Sequence, residues 1–242
     1  MVQSVKLLSP AYVLHRRPYS DTSLIVDFFS LHFGRVTCVA KGVKSSKSSK
    51  SAILQPFTPL MMNFSGRGEV KTLNQCESAG HLLEFSGNRL FTAYYVNELL
   101  LKALPKHEVA ETVFSGYSEL LKIISNNKEN FENKLRLFEK HLLDFLGYGL
   151  LLECDVENGL LIQADKKYRY IFDKGPSECQ VNPTYKDDTP VLSGETLQAL
   201  ALGQLFNQTH LHESKLLMRY LIQHLLGGYV FKSRDFFKRE RA

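Results

Sequence analysis

Covalent chemistry, metal binding and polyanion binding each require particular side chains at particular spacings. Cys154 and Cys179 lie 25 residues apart, and neither has a second Cys or a His within two to four positions. Structural zinc is usually held by two close ligand pairs, so this spacing does not predict a metal centre. The pair His210-x-His212 adjoins an expected helix start and reads as two exposed polar residues. No G-x-S-x-G, G-x-x-x-x-G-K-[ST] or H-E-x-x-H occurs, and Gly66-Arg67-Gly68 lacks the third glycine and following helix of a dinucleotide fingerprint. A helical enzyme would have to draw on Glu98, Glu139, His141 and Asp144. Glu98 sits in an otherwise apolar helix, where a carboxylate is expected to cap or pair locally.

Polyanion binding is better supplied. The net charge of +5 is concentrated in residues 1–80, which hold ten Lys and Arg against four Asp and Glu, whereas residues 81–242 hold twenty against twenty-one. Arg35, Lys41, Lys44, Lys47 and Lys50 follow one another with no acid between them. Such one-sided density suits a phosphate backbone, whose neutralisation releases counterions. Tyr12, Tyr19, Phe28, Phe29, Phe33, Phe57 and Phe64 are interleaved with Arg16, Arg17, Arg35, Arg67 and Lys71, the mixture of rings and cations that a single-strand groove uses. A barrel of this size needs most of those rings for its core, leaving one or two for a nucleic acid.

The elements that must position these groups change character near residue 80. Residues 11–15, 24–29, 35–41, 60–64 and 69–73 are short β-branched and aromatic runs; in 35–41, Val36, Cys38 and Ala40 alternate with more polar neighbours, the period of a half-buried strand. Five or six strands in so short a stretch leave exposed edges unless they close into a small barrel. From residue 88 the period becomes helical, with apolar stripes ending at Leu104, Ile124 and Leu146, the last followed by Gly147 as a carboxy-terminal cap. Leu160–Gln163 and Tyr168–Phe172 read as a small hairpin near 159–173. Ser193 then caps a short helix to Leu202, and His212–Leu226 forms a longer one stopped by Gly227-Gly228. The expected organisation is a β domain over 1–80 and a helical domain over 81–242. No stretch reaches 18 apolar residues, and MVQSVKLLSPAYVL lacks the apolar region and cleavage site of a secretory signal, so a cytoplasmic protein without a membrane span is expected.

Several blocks together carry a family resemblance: Leu14-His-Arg-Arg-Pro-Tyr-Ser-Asp-Thr-Ser-Leu24, Gly34-Arg-Val-Thr-Cys-Val-Ala-Lys-Gly42, Leu54-Gln-Pro-Phe-Thr-Pro-Leu60 and Gly66-Arg-Gly-Glu69, then Tyr95-Val-Asn-Glu-Leu99, Phe138-Glu139, Leu146-Gly-Tyr-Gly149 and Leu226-Gly-Gly228 with Lys232-Ser-Arg234. In this order the chain resembles the RecO family of DNA repair and recombination mediators. The resemblance implies an all-β plus all-α protein: an N-terminal OB-fold barrel followed by a helical domain with a small β-hairpin insertion. It implies binding of single- and double-stranded DNA, annealing of complementary strands, and help in loading the recombinase onto strands coated by single-stranded-DNA-binding protein, with no covalent chemistry. The implied partners are RecR, the C-terminal tail of the single-stranded-DNA-binding protein and, in some members, RecF; the implied location is the bacterial cytoplasm, at the nucleoid during repair. Many members hold zinc through four cysteines in the region of Cys154 to Cys179, but one cysteine at each end does not complete that set, so no cofactor is carried over.

The residues expected at the DNA are Arg16, Arg17, Arg35, Lys41, Lys44, Lys47, Lys50 and Arg67. If about four act at once on a single strand, affinity should follow salt with a log-log slope near −3, roughly 50-fold between about 50 and 200 mM. A second cationic patch for a second strand is expected in the basic tail from Lys232 to Arg241. For the acidic, aromatic-ended partner tail the expected cations are Arg136, placed by the stripe on the polar side of its helix, with Lys215 and Arg219 one turn apart. A general single-strand or RNA-binding OB protein without a mediator role is the alternative.

Overall fold

Five strands close on themselves at the beginning of the chain. They are β1 (Ser9–Pro18), β2 (Leu24–Ser30), β3 (Gly34–Ala40), β4 (Pro59–Ser65) and β5 (Val70–Ser78), with the short helix α1 (Lys50–Ile53) between β3 and β4. The barrel order is β1-β2-β3-β5-β4; β3 and β5 run parallel and the other neighbours antiparallel. The period-two reading of 35–41 holds because Val36, Cys38 and Ala40 point inward with Val13, Val26 and Phe28, while α1 adds Leu54 just beyond its end. Closure removes the edges that an open five-stranded sheet would expose. The structure, a computed structural model, describes residues 7–43, 50–80, 82–126, 130–179, 189–205 and 207–233.

The chain divides into two units, Met1–Glu129 with Phe231–Ala242, and Asn130–Val230. In the first, α2 (Gly87–Ala103) and α3 (Glu111–Ser125) accompany the barrel. Tyr12 and Phe29, paired on the outer face of β1 and β2, meet Phe114 and Tyr117 of α3 with ring centroids 5.2–6.0 Å apart. That part of the outer face is therefore a helix-packing surface. Glu98 of α2 accepts the backbone N–H groups of Lys232 and Ser233 at 2.8 and 2.9 Å. This structural capping is of the kind anticipated for Glu98, although its partners are 134 and 135 residues away in sequence.

The second unit holds α4 (Glu132–Phe145), β6 (Lys167–Ile171), β7 (Gly175–Glu178), β8 (Val191–Ser193), α5 (Gly194–Ala201) and α6 (Gln208–Leu225). Its antiparallel sheet has the order β7-β6-β8. The Ser193 hydroxyl caps α5 by accepting from Thr196 N–H at 3.2 Å, and Asn207 caps α6 through His210 N–H at 2.8 Å. Gly147 follows α4 with φ +85°, the left-handed conformation that its position predicts.

Two expectations are corrected here. Leu160–Gln163 does not pair with β6; Asp155 N–H donates to Leu160 O and Ile162 N–H to Glu153 O, folding that stretch onto 153–155 instead. The hairpin partner of β6 is Gly-Pro-Ser-Glu, a poor strand sequence that is tolerable because β7 is an edge, and β8 pairs on its other side. Arg136 is not on a polar face: it is buried, with a guanidinium nitrogen 2.8 Å from the fully buried Glu139 carboxylate. Helix α4 buries Arg136, Glu139 and Leu143 beside Leu135, Phe138 and Leu142, an arc wider than a single stripe.

Candidate nucleic-acid interface

Strand register brings one end of the barrel into focus. Pro18 is opposite Leu24, and Leu24 is opposite Ala40, so the end of β1, the start of β2 and the end of β3 stand side by side. A β-bulge between Val13 and His15 sets which side chains appear there. Past the bulge His15 lies opposite Asp27, Arg16 opposite Val26 and Arg17 opposite Ile25. Directly opposed residues share a face, so His15 and Arg17 share the outer surface with Asp27 and Ile25. A bulge re-aims a strand but disrupts its ladder. Asn97 of α2 compensates: its amide donates to Leu14 O at 3.0 Å and Val13 O at 3.3 Å, and its carbonyl accepts from the Tyr117 hydroxyl at 2.6 Å. Asn97 lies in the block Tyr95–Leu99 that carries part of the resemblance, but nothing in that block reveals this role; the local signal is a polar residue within a buried helix.

Of the predicted cations, Arg16, Arg17 and Lys41 lie at this end, Arg16 on the side of inward-facing Val26 and Arg17 on the outer surface. Arg17 and Lys41 are exposed, and Arg16 is half-buried. Lys44 and Lys47, and the side chain of Lys50, lie outside the described residues, but the Ser/Lys tract that carries them departs from β3 at the same end, directly after Lys41. Of the seven interleaved rings, Tyr12, Phe28, Phe29, Phe57 and Phe64 are buried and Phe33 is packed against the barrel core, whereas Tyr19, in the β1–β2 turn, is 62% exposed. The cluster thus contains cations, one open ring and few competing acids. Asp21 is exposed in the same β1–β2 turn and Asp27 lies on β2; burial would raise the Asp27 carboxyl, yet the neighbouring His15 ring, the hydrogen bond from Thr37 and the field of Arg17 leave it below the ordinary value. Thr37 donates to it at 2.6 Å, and a His15 ring nitrogen lies 3.8 Å away.

Arg35 and Arg67 fall elsewhere. Arg35 is the second residue of β3, and its Nε donates to the Leu104 carbonyl at 2.9 Å, fastening the strand to the end of α2. Arg67 is exposed in the β4–β5 turn, and β5 enters beside the middle of β3 with Val70 opposite Thr37, which leaves the turn toward the Gly34 end. The eight predicted residues therefore do not form one patch. From the tail, Lys232 is described and exposed, and residues 234–242 lie outside the described residues.

In the second unit, Lys215 and Arg219 are exposed on α6, and Leu216 between them is 42% exposed. Met218 and Leu221 point into the core. The unit also has a pocket of about 140 Å³ lined by Leu143, Tyr148, Leu151, Phe172, Lys174 and Leu221 among others. Tyr148 and Phe172 stack on its lining, and Phe172 stacks in turn on His224. The carboxylates of the rival catalytic reading do not converge: Glu139 pairs with Arg136, and Asp144 with Lys140 at 3.1 Å. Among the described residues no group of three or more His, Cys, Asp or Glu could hold a metal ion, and no helix is long and apolar enough to cross a membrane.

Two family models match consecutive parts of the chain: Recombination protein O N terminal over residues 5–81 and Recombination protein O C terminal over 84–235. The DNA repair protein RecO of Nitrosococcus oceani is 42% identical over 229 residues, covering 94% of this chain and 91% of its own. That of Methylococcus capsulatus is 38% identical over 232 residues, covering 96% and 93%, and that of Coxiella burnetii 38% identical over 228 residues, covering 94% and 96%. The closed five-stranded barrel, the helices with their small sheet, and these full-length similarities place the chain in the RecO family of DNA repair proteins.

Proposed function

We propose that the protein is a DNA repair and recombination mediator that binds single- and double-stranded DNA, anneals complementary strands and helps load the recombinase onto strands coated by single-stranded-DNA-binding protein. The observation that carries the reading is the placement of Arg16, Arg17, Lys41 and the open Tyr19 ring at the same barrel end, where the chain leaves β3 for the Ser/Lys tract. Cations on flexible stems track phosphates, and one ring stacks on any base, so binding is strong at low salt and indifferent to sequence. None of these groups is arranged to make or break a covalent bond; the protein acts by holding strands. Residues 1–80 supply the main strand-binding module.

The second unit takes the partner tail. Its pocket offers an apolar wall for a terminal aromatic ring, with Lys174 beside Asp173 on the lining, and Lys215 and Arg219, exposed on α6 outside that lining, are the further cations proposed for acidic residues. Arg136 leaves this assignment because Glu139 already neutralises it in the interior. RecR and, in some settings, RecF complete the set of partners, and the work takes place in the cytoplasm at the nucleoid. Annealing of complementary oligonucleotides, bare and coated with single-stranded-DNA-binding protein, tests the proposal. Acceleration in both cases is expected; no acceleration in either, or equal preference for RNA in competition, would favour a general single-strand binder.

A further inference from the structure

The predicted DNA contacts separate into two groups, and the second group has neighbours that the strand-binding reading does not use. Arg67 and Lys71 belong to the β4–β5 turn and the start of β5, with Lys71 Nζ donating to Gly66 O at 3.4 Å. The segment after α2 runs beside them: Lys106 forms a bridge to Arg35, His107 N–H donates to Arg35 O at 3.0 Å, and Lys106 Nζ is 3.0 Å from Glu69. The approach is tight. Gly34 has φ +61°, and a Cβ there would run into the Glu108 carbonyl oxygen. His107 itself adopts φ +64°, an uncommon conformation for a residue with a side chain.

Arg67, Lys71, Lys106 and His107 thus come from the β4–β5 turn, the start of β5 and the segment after α2 to the same end of the barrel, with Glu69 and Glu108 as the acids in the same stretch. The field there is positive on balance: burial first, then Lys71 and Lys106, hold the His107 imidazole below its ordinary value, against the smaller opposing effect of Glu69. The two cation groups are not continuous. Between them, the outer face of β2 and β3 presents the Asp27 carboxylate at mid-strand, and Phe29 at its lower part is covered by α3. Strand β3 alone separates Gly34 from Ala40 by roughly 20 Å at about 3.3 Å per residue.

We infer that Arg67, Lys71, Lys106 and His107 form a second phosphate-backbone site, distinct from the Arg16, Arg17 and Lys41 end, so that one chain holds two DNA strands at opposite ends of its barrel. The inference rests on the proposed strand binding and adds to it the place of the second strand. Annealing needs two polyanions brought together by positive charge on more than one surface. Here both surfaces belong to described parts of a single unit, without recourse to the basic tail.

The test counts short oligonucleotides bound per full-length chain. With thymidine oligomers of about six nucleotides at low salt, sedimentation or titration calorimetry should give two per chain, within the range of lengths that one such barrel accommodates. Lys71→Ala/Lys106→Ala should reduce this to one, leave the affinity of the remaining site within about twofold, and slow annealing of long complementary strands about tenfold. Arg67→Glu, in an exposed turn, repeats the test where the double variant destabilises the fold. One oligomer per chain in the parent, or two in both variants, overturns the inference while leaving strand binding intact. Failure of the parent to bind any oligomer would instead overturn the function on which it rests.

Discussion

Asn97→Ala is the most informative single perturbation of the barrel. The substitution removes both amide donors to the bulge and the acceptor of the Tyr117 hydroxyl. Val13 O retains a longer contact with Phe57 N–H at 3.4 Å, so the groups left without these partners are chiefly Leu14 O and the fully buried Tyr117 hydroxyl. At about 1–3 kcal/mol for each unsatisfied buried group, the loss should be about 3 kcal/mol. At about 3 °C per kcal/mol, the first unit should melt about 10 °C lower. Denaturant unfolding followed by tyrosine fluorescence gives the free energy directly, and a double-mutant cycle gives its cause. Tyr117→Phe removes the orphaned hydroxyl, so in the Asn97→Ala background it should cost almost nothing, with a coupling of about 1–2 kcal/mol. Because the bulge directs Arg17 to the outer face, Asn97→Ala should also weaken strand binding more than Tyr117→Phe does. A loss below about 0.5 kcal/mol, or no coupling to Tyr117, would refute the reasoning that this amide sustains the bulge.

Three further outcomes follow from the same contacts. Tyr19→Ala should weaken single-strand binding by about 1–2 kcal/mol and Tyr19→Phe by almost nothing, as measured by anisotropy; equal losses would assign the hydroxyl, not the ring, to the DNA. Arg136→Met should destabilise the second unit by about 3–5 kcal/mol because it strands the buried Glu139 carboxylate, and Arg136→Met/Glu139→Leu should recover most of that loss in urea unfolding. Asp27 is held below its ordinary value of 3.8, so its contribution to stability is fully present above that pH and is lost as pH falls through the lower folded value. Asp27→Asn should therefore be less stable than the parent at pH 7, with the difference shrinking toward pH 2; a gap that widens on acidification would reverse the sign.

Local signals made much of the fold legible. The alternation in Val36, Cys38 and Ala40, the Ser193 cap and Gly147 each act within a few residues, and each appears where its chemistry requires it. What escaped the sequence was set by specific pairing partners, near or far along the chain, and not by apolar pattern. The edge strand Gly175–Glu178 has no strand propensity of its own and is defined by its pairing to β6. Arg136 lies on the inner side of α4 because Glu139 neutralises it there, a relation that a count of apolar residues misreads. The cations of the first 80 residues were legible as a composition, but their separation into two ends depends on barrel register. Only the parallel pairing of Thr37 with Val70 shows that Arg67 stands apart from Arg17.

The account depends most on phosphate recognition at the Arg16, Arg17 and Lys41 end, and the salt dependence of single-strand affinity measures that directly. For the parent chain, the logarithm of the binding constant should fall against the logarithm of salt with a slope of about −3. For Arg16→Ala/Arg17→Ala, the slope should shrink by about 1.4, at roughly 0.7 for each phosphate contact removed. A parent slope near zero, or an unchanged slope in the double variant, would contradict the assignment of this barrel end to DNA.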